Sequence, residues 1–252
     1  PNIARLLAYL PGLVYSSSSD GVWIHLFVQS HAKVAWGRGV ARIEQYTRYP
    51  WGGTVEVNVE PLKGMADFTV YIRIPGWCRR AKVTVDDKIV HEVRGGSYFR
   101  INGDWSGGRR IRLEMDMRPR LVVAHPRVTY DTCRAAIKVG PLIYCIEQAD
   151  NPGVNVNDLA LLTDEPMNIE WRSDLLGGVN IVRGKALAYD TSWWKGRLYA
   201  FREEVRVKAR EVEFTAIPYY SWANRKPGSM TVWPRIVEHG CMAGENVSKN
   251  IC

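Results

Sequence analysis

The sequence predicts a mainly β protein, an antiparallel β-sandwich of jelly-roll-like character preceded by one helix. Three observations carry that expectation. Apolar residues alternate with polar ones over many short runs. Gly, Pro and Asp clusters punctuate those runs roughly every ten residues. The one segment with helical periodicity stands at the start: Ile3, Leu6, Leu7 and Leu10 in "PNIARLLAYL" share a face at i, i+3, i+4 and i+7.

Pro1 suits a first helical turn and Asn2 a cap, while Pro11-Gly12 marks the end or a kink. An apolar stripe of this kind needs helical partners, and the chain offers none with a similar pattern. After "SSSSDG" the character changes to β. "VWIHLFVQ" reads as a strand. In "TVEVNVEP", Val55, Val57 and Val59 point inward. In "DFTVYIRIPGW", Phe68, Val70, Ile72 and Ile74 point inward against Thr69, Tyr71 and Arg73. "AKVTVDDK" turns at Asp86-Asp87, and "GSYFRING", "RRIRLEMDM", "RLVVAHPRVTY" and "RAAIKVGPLIYCIEQ" follow. From Asp150 to about Pro166 the alternation lapses. It resumes in "MNIEWR", "GVNIVRGKALAY", "LYAFREEVRVKAREVEFTAIPYY" and "SMTVW". The expected division is therefore a helix over 1–20, a first sandwich region over 21–150, further sandwich strands over 151–235 that form a second sandwich or complete the first, and an irregular tail over 236–252.

Composition narrows the function classes. The formal charge is +8, but its basic residues are scattered among apolar and acidic neighbours. Nucleic-acid binding needs a clustered patch, so that class is set aside. No stretch reaches membrane-span length. Five cysteines (Cys78, Cys133, Cys145, Cys241 and Cys252) form no C-x-x-C pair; the first three sit in strand-like surroundings and read as buried free thiols. A disulfide stays open, and so does the compartment. Asn246-Val247-Ser248 fits the glycosylation triplet, a pattern common by chance. The five histidines lie in separate segments with no metal-ligand spacing.

Ten tryptophans and twelve tyrosines against five phenylalanines favour half-wet surfaces and polar ligands such as sugars, or packing bulk in a large β domain. Trp193-Trp194 in "DTSWWKG" is the candidate contact for a sugar or a neighbouring domain. In a strand only one of the pair would face the core; in a loop both would reach outward. Glu147 with Asp150, and Asp164 with Glu165, are the paired carboxylates; the expected reading is solvated loop acids. "PYYSWANRKPGSMTVW", residues 218–233, reads as a turn between strands. Phe214, Ala216 and Tyr219 end the strand before it, Asn224 to Gly228 make the turn, and Met230 and Val232 share a face beyond.

Five segments in order, "PNIARLL", "TRYPWGGTVEVNVE", "YIRIPGWC", "GPLIYCIEQADN" and "PYYSWANRKPGSMTVW", resemble the carboxy-terminal part of glycoside hydrolase family 127, the β-L-arabinofuranosidases. The resemblance runs from Pro1 to about Trp233. It implies a catalytic (α/α)6 barrel upstream, whose last helix would be the one that opens this chain, followed by β-sandwich domains. It also implies release of β-linked L-arabinofuranose from plant-type glycans with retention, by a cysteine nucleophile in a zinc site of one glutamate and three cysteines, with a second glutamate as acid/base. Zinc would lower the thiol pKa and keep a thiolate ready.

In the family the nucleophile's cysteine pair lies just before the Pro-Asn-x-Ala-Arg helix, which here is Pro1-Asn2-Ile3-Ala4-Arg5. The zinc ligands and acid/base would thus lie upstream of Pro1, leaving no catalytic and no metal residue in this chain; Cys78 and Cys145 map to sandwich strands. Pro11 and the tail after Trp233 depart from the family pattern. The expected role is a non-catalytic sandwich portion that partners the barrel. The alternatives are a stand-alone carbohydrate-binding or interaction module, and the same architecture serving a glycosidase for a different pectin side-chain sugar.

Overall fold

The computed structural model describes residues 2–206 and 208–238. Cys241, Cys252, His239, the 246–248 triplet and most of the 236–252 tail lie outside the described residues. The chain divides into two compact units, residues 1–117 and 118–252. The division expected after Asp150 thus falls inside the second unit. There the Leu142–Glu147 strand pairs with Lys208–Pro218, so the turn-rich stretch that follows it is a connection within one unit.

In the first unit a helix, Asn2–Val14, runs directly into a short strand, Tyr15–Ser17. The helix continues through Pro11 instead of stopping at Leu10. Proline removes one N–H, and on an exposed helix water serves the carbonyl left without a partner. Only Val14 of the helix is buried; Ile3 is 77% exposed and Leu7 60%.

Two sheets follow. One has the order Tyr15–Ser17, Gly21–Ile24, Asp67–Ile74, Ser97–Asp104. The other runs Ser30–Trp36, Gly39–Thr47, Thr54–Gly64, Arg109–Met115, Ala81–Val85, Lys88–Val93. Their inner faces meet in one core that contains Ile24, Phe68, Val70 and Ile72 from the first and Ile43, Val55, Val57, Val59 and Leu113 from the second. This is a sandwich. Trp105 is fully buried and donates its indole N–H to the Phe68 carbonyl at 2.8 Å.

Two expectations shift here. "VWIHLFVQ" is not one strand: it ends at Ile24, and the chain then crosses to the other sheet, with Phe27 buried in the crossing. Gln45, itself buried, donates to the backbone carbonyl of Leu26 at 3.1 Å and to the Tyr15 hydroxyl at 2.9 Å, which ties down the crossing. Thr69, expected outward, is also buried, because its hydroxyl bonds the Asn102 side chain on the paired strand at 3.0 Å. The Asp86-Asp87 turn takes positive φ at both residues, 48° and 63°, as a two-residue hairpin between right-twisted strands requires.

The second unit is built on one large sheet ordered Arg120–Val123, Ala135–Val139, Leu142–Glu147, Lys208–Pro218, Val179–Asp190, Leu159–Leu162, Arg235–Val237. Asn168–Arg172 pairs off this path with Val179–Asp190, and Met230–Thr231 with Leu142–Glu147. "LYAFREEVRVK" begins its strand only at Lys208, after a 3-10 turn at Arg202–Glu204. "RLVVAHPRVTY" keeps its strand only over Arg120–Val123. The basic runs sit on strand faces in ion pairs as well as in solvent: Arg109 meets Asp86 at 2.7 Å, Arg110 meets Asp87 at 2.9 Å and Arg112 meets Glu56 at 3.1 Å.

Candidate functional site

The most tightly organised polar cluster joins two of the quoted segments. Glu147 ends the Leu142–Glu147 strand, and Gln148–Asp150 form a 3-10 turn directly after it. Arg225, from the turn beyond Tyr219–Ser221, reaches both acids. One guanidinium nitrogen bonds Glu147 Oε2, and the pair of terminal nitrogens embraces the Asp150 carboxylate, one of these contacts at 2.6 Å. The Glu147 side chain is 3% exposed, that of Asp150 9% and that of Arg225 20%.

The expectation of solvated loop acids is therefore corrected for this pair. A buried carboxylate needs a cation, and Arg225 supplies one from a segment too distant in sequence for local pattern to reveal. The two carboxylates hold the Arg225 guanidinium even more firmly in its charged form than usual. Asp164, by contrast, is exposed, and Glu165 pairs with Lys185 at 3.6 Å.

The rest of "EQADN" ties down the same corner. Asn151, buried, donates to the Glu147 and Thr215 carbonyls at 2.8 and 2.9 Å and accepts from the Thr215 N–H at 2.9 Å. Gln148 donates to the Asn151 and Val154 carbonyls at 2.9 and 2.6 Å, and its backbone N–H donates to Ser229. These side chains replace the backbone ladder where the chain leaves the sheet. Met230 and Val232 share a face, as expected, and pack with Cys145 and Ile217. Tyr219 and Trp222 stack on each other at 5.9 Å while remaining about half exposed.

Can this corner do chemistry? A glycosidase pair needs one proton donor and a second, separately placed carboxylate. Here one cation holds both acids, and the neighbouring thiol is inert. Burial, with the Glu147 and Asp150 charges, pushes Cys145 up to about 12, so the thiol stays protonated and a poor nucleophile at ordinary pH. Cys78 is buried, with its thiol on the Arg80 carbonyl at 3.0 Å, and Cys133 is half-buried at a positive φ of 55°. Among the described residues no group of three or more His, Cys, Asp or Glu is placed to hold a metal ion.

Trp193 and Trp194 lie on a 3-10 turn, Ser192–Trp194, both half-buried, with rings edge to face at 5.4 Å. The Arg197 guanidinium covers Trp193 at 4.7 Å. Trp194 alone of the pair lines an adjacent cavity of about 470 Å3, together with Tyr189, Arg134 and Arg235. A third aromatic group stands on the first unit's four-stranded sheet. Trp23 stacks on Tyr71 at 3.8 Å, and His25 bridges Ser16 and Tyr98 at 2.6 and 2.5 Å. Burial and the Arg73 charge lower the His25 pKa. His31 and His125 are exposed.

Comparison with known proteins agrees with the two-unit division. The beta-L-arabinofuranosidase GH127 middle domain matches residues 21–117, and the glycoside hydrolase family 127 C-terminal domain matches residues 119–235. A non-reducing end beta-L-arabinofuranosidase from Bifidobacterium longum subsp. longum is 36% identical over 93% of this chain, which spans 36% of that protein. The solved GH127 beta-L-arabinofuranosidase from Geobacillus stearothermophilus T6 superposes with a TM-score of 0.84 at 37% identity, over 94% of this chain and 37% of that one. A second solved glycoside hydrolase gives 0.84 at 30% identity, over 94% and 39%. The chain thus spans little more than a third of the relatives it matches. Its two β units, in this order, are the middle and C-terminal domains of the family, and the chain belongs to glycoside hydrolase family 127.

Proposed function

We propose that this chain is the non-catalytic β portion of a retaining β-L-arabinofuranosidase that acts on arabinose-containing plant-type glycans, and that its first helix docks on a helical catalytic domain of the same protein. The observation that carries this reading is the open apolar face of Asn2–Val14, on which Ile3, Leu6, Leu7 and Leu13 are all 48–77% exposed. A helix of this length is marginal without a partner surface, and helix-on-helix packing is what such a stripe serves. The coverage of the relatives, which leaves close to two thirds of their length unmatched, supports the same reading. In it, the zinc and the acid/base glutamate belong to that other domain, and the two β units buttress it.

The test has two arms. The 252-residue chain should give no turnover of an aryl β-L-arabinofuranoside with or without zinc. Added to a helical domain from a family 127 enzyme, it should form a stable complex that Leu7→Glu breaks. Zinc-dependent turnover by this chain overturns the reading, as does complex formation indifferent to Leu7→Glu.

A further inference from the structure

The end of the Val179–Asp190 strand separates two adjoining hollows of the second unit. The Trp194 cavity of about 470 Å3 lies on one side and a hollow of about 600 Å3 on the other. Asp158, Tyr189, Asp190 and Thr191 line both, so the two hollows adjoin across the strand end and are taken together as a groove.

Its charges are unequal. Arg134, Arg206, Lys208, Arg210 and Arg235 line it against two carboxylates, Asp158 and Asp190. Both acids have local hydrogen-bond partners: Asp158 accepts from the Thr191 hydroxyl at 3.3 Å and Asp190 from the Ser192 N–H at 2.9 Å. Arg134 and Arg210 are partly engaged by the Trp233 and Gly153 carbonyls. Arg206 and Arg235 are exposed and enter none of the ion pairs formed among the described residues; Lys208, exposed too, stands opposite Asp190 on the paired strand, and its charge adds to the Ser192 hydrogen bonds that lower the Asp190 pKa. The comparable hollow of the first unit is different, because its cations are taken: Arg42 by Glu60, Arg109 by Asp86 and Arg110 by Asp87.

We propose that this groove binds an acidic oligosaccharide, with sugar carboxylates on Arg206, Lys208 and Arg235 and one sugar ring against Trp194. Each part of the ligand answers a part of the site. A groove shared by two hollows fits a chain of rings better than one ring. The indole offers an apolar face for the C–H side of a pyranose. Asp158 and Asp190 keep free lone pairs for ring hydroxyls, which are donors as well as acceptors. The surplus cations call for negative charge on the same ligand. The single lining indole speaks against a single-stranded nucleic acid, which binds on several stacking rings. The inference uses only the geometry of the second unit and is read by binding, so it stands or falls apart from the catalytic reading above.

The 252-residue chain is titrated with a galacturonic acid oligomer, a neutral arabinose oligomer and a single-stranded oligonucleotide, followed by tryptophan fluorescence and calorimetry. The galacturonate should bind saturably, more weakly as salt rises, and more tightly than the neutral sugar. Loss of one carboxylate contact in Arg235→Gln should weaken it about tenfold, and Trp194→Ala should weaken both the affinity and the fluorescence change. Arg206→Gln, at an exposed position with no structural bond to lose, should repeat the Arg235 effect without altering the fold. No saturable binding overturns the proposal. So does equal binding of the neutral sugar, tighter binding of the oligonucleotide, or affinity unchanged in all three variants.

Discussion

Replacing Arg225 with methionine removes the cation that, among the described residues, contacts two nearly inaccessible carboxylates. Methionine fills similar space, so the effect isolates charge. Glu147, at 3% exposure, cannot recover its hydration without opening the corner where Gln148 and Asn151 anchor the chain. Breaking a buried pair by deleting one partner costs about 3–5 kcal/mol. With a urea dependence of about 2 kcal/mol per M for a unit of this size, the second unit's midpoint should fall by about 1.5–2.5 M. Hydrogen exchange during the denaturant series assigns the loss to a unit: amides of Leu142–Glu147 and Lys208–Pro218 should lose protection while those of Asp67–Ile74 keep theirs. Removing all three charges together, as Glu147→Gln, Asp150→Asn and Arg225→Met, should recover much of the loss, because no uncompensated charge remains. A shift below about 0.5 M in the single variant, or a triple variant worse than the single one, would refute the argument from desolvation.

Two further outcomes follow from local chemistry. The fold holds Cys145 as a neutral thiol, its pKa raised from 9.0 to about 12, so the stability it contributes is complete below pH 9 and is lost as pH rises through 12. The slope approaches about 1.4 kcal/mol per pH unit across that window. Cys145→Ala should flatten the alkaline fall in urea midpoints, and an unchanged slope would assign the titration elsewhere, for instance to buried Tyr144, whose pKa is also raised. In the first unit, a Cβ at Gly21 would stand 1.9 Å from the Thr69 carbonyl oxygen on the parallel strand. Gly21→Ala should destabilise that unit by about 3 kcal/mol, seen as lost protection at Asp67–Ile74 with the second unit intact; wild-type protection would show that the strands can part at no cost.

Strand identity was largely legible in the sequence, because period-two alternation reports a buried face directly. Val55, Val57 and Val59, and Phe68, Val70, Ile72 and Ile74, all lie where alternation places them. What escaped was fixed by partners far along the chain. Nothing beside Thr69 announces Asn102, and nothing beside Leu26 announces Gln45, so a buried threonine and a crossing that reads as a strand both mislead. The stretch after Asp150 reads as a connection because a polar loop inside a sheet looks like a linker until its Asn151 and Gln148 bonds are seen. The candidate cluster divides the same way. Glu147 and Asp150 stood out as paired acids, but Arg225 lies 78 residues beyond Glu147, and its role depends on a contact that spacing cannot encode. Trp193 and Trp194 stood out by composition, while the cations around Trp194 come from three separate segments.

The neighbours of the Leu142–Glu147 strand have a consequence for synthesis. Tyr144 and Cys145 pair with Pro218 and Ile217, and Ile146 and Glu147 pair with Thr231 and Met230. On a ribosome adding roughly 5–20 residues per second, about 70 residues must follow before either partner emerges, a delay of roughly 4–15 s. Residues 1–117 can close their own sandwich meanwhile. The apolar edge "LIYCI" cannot, and during that interval it is the part of the nascent chain with most to gain from a chaperone and most to lose to a neighbouring polysome.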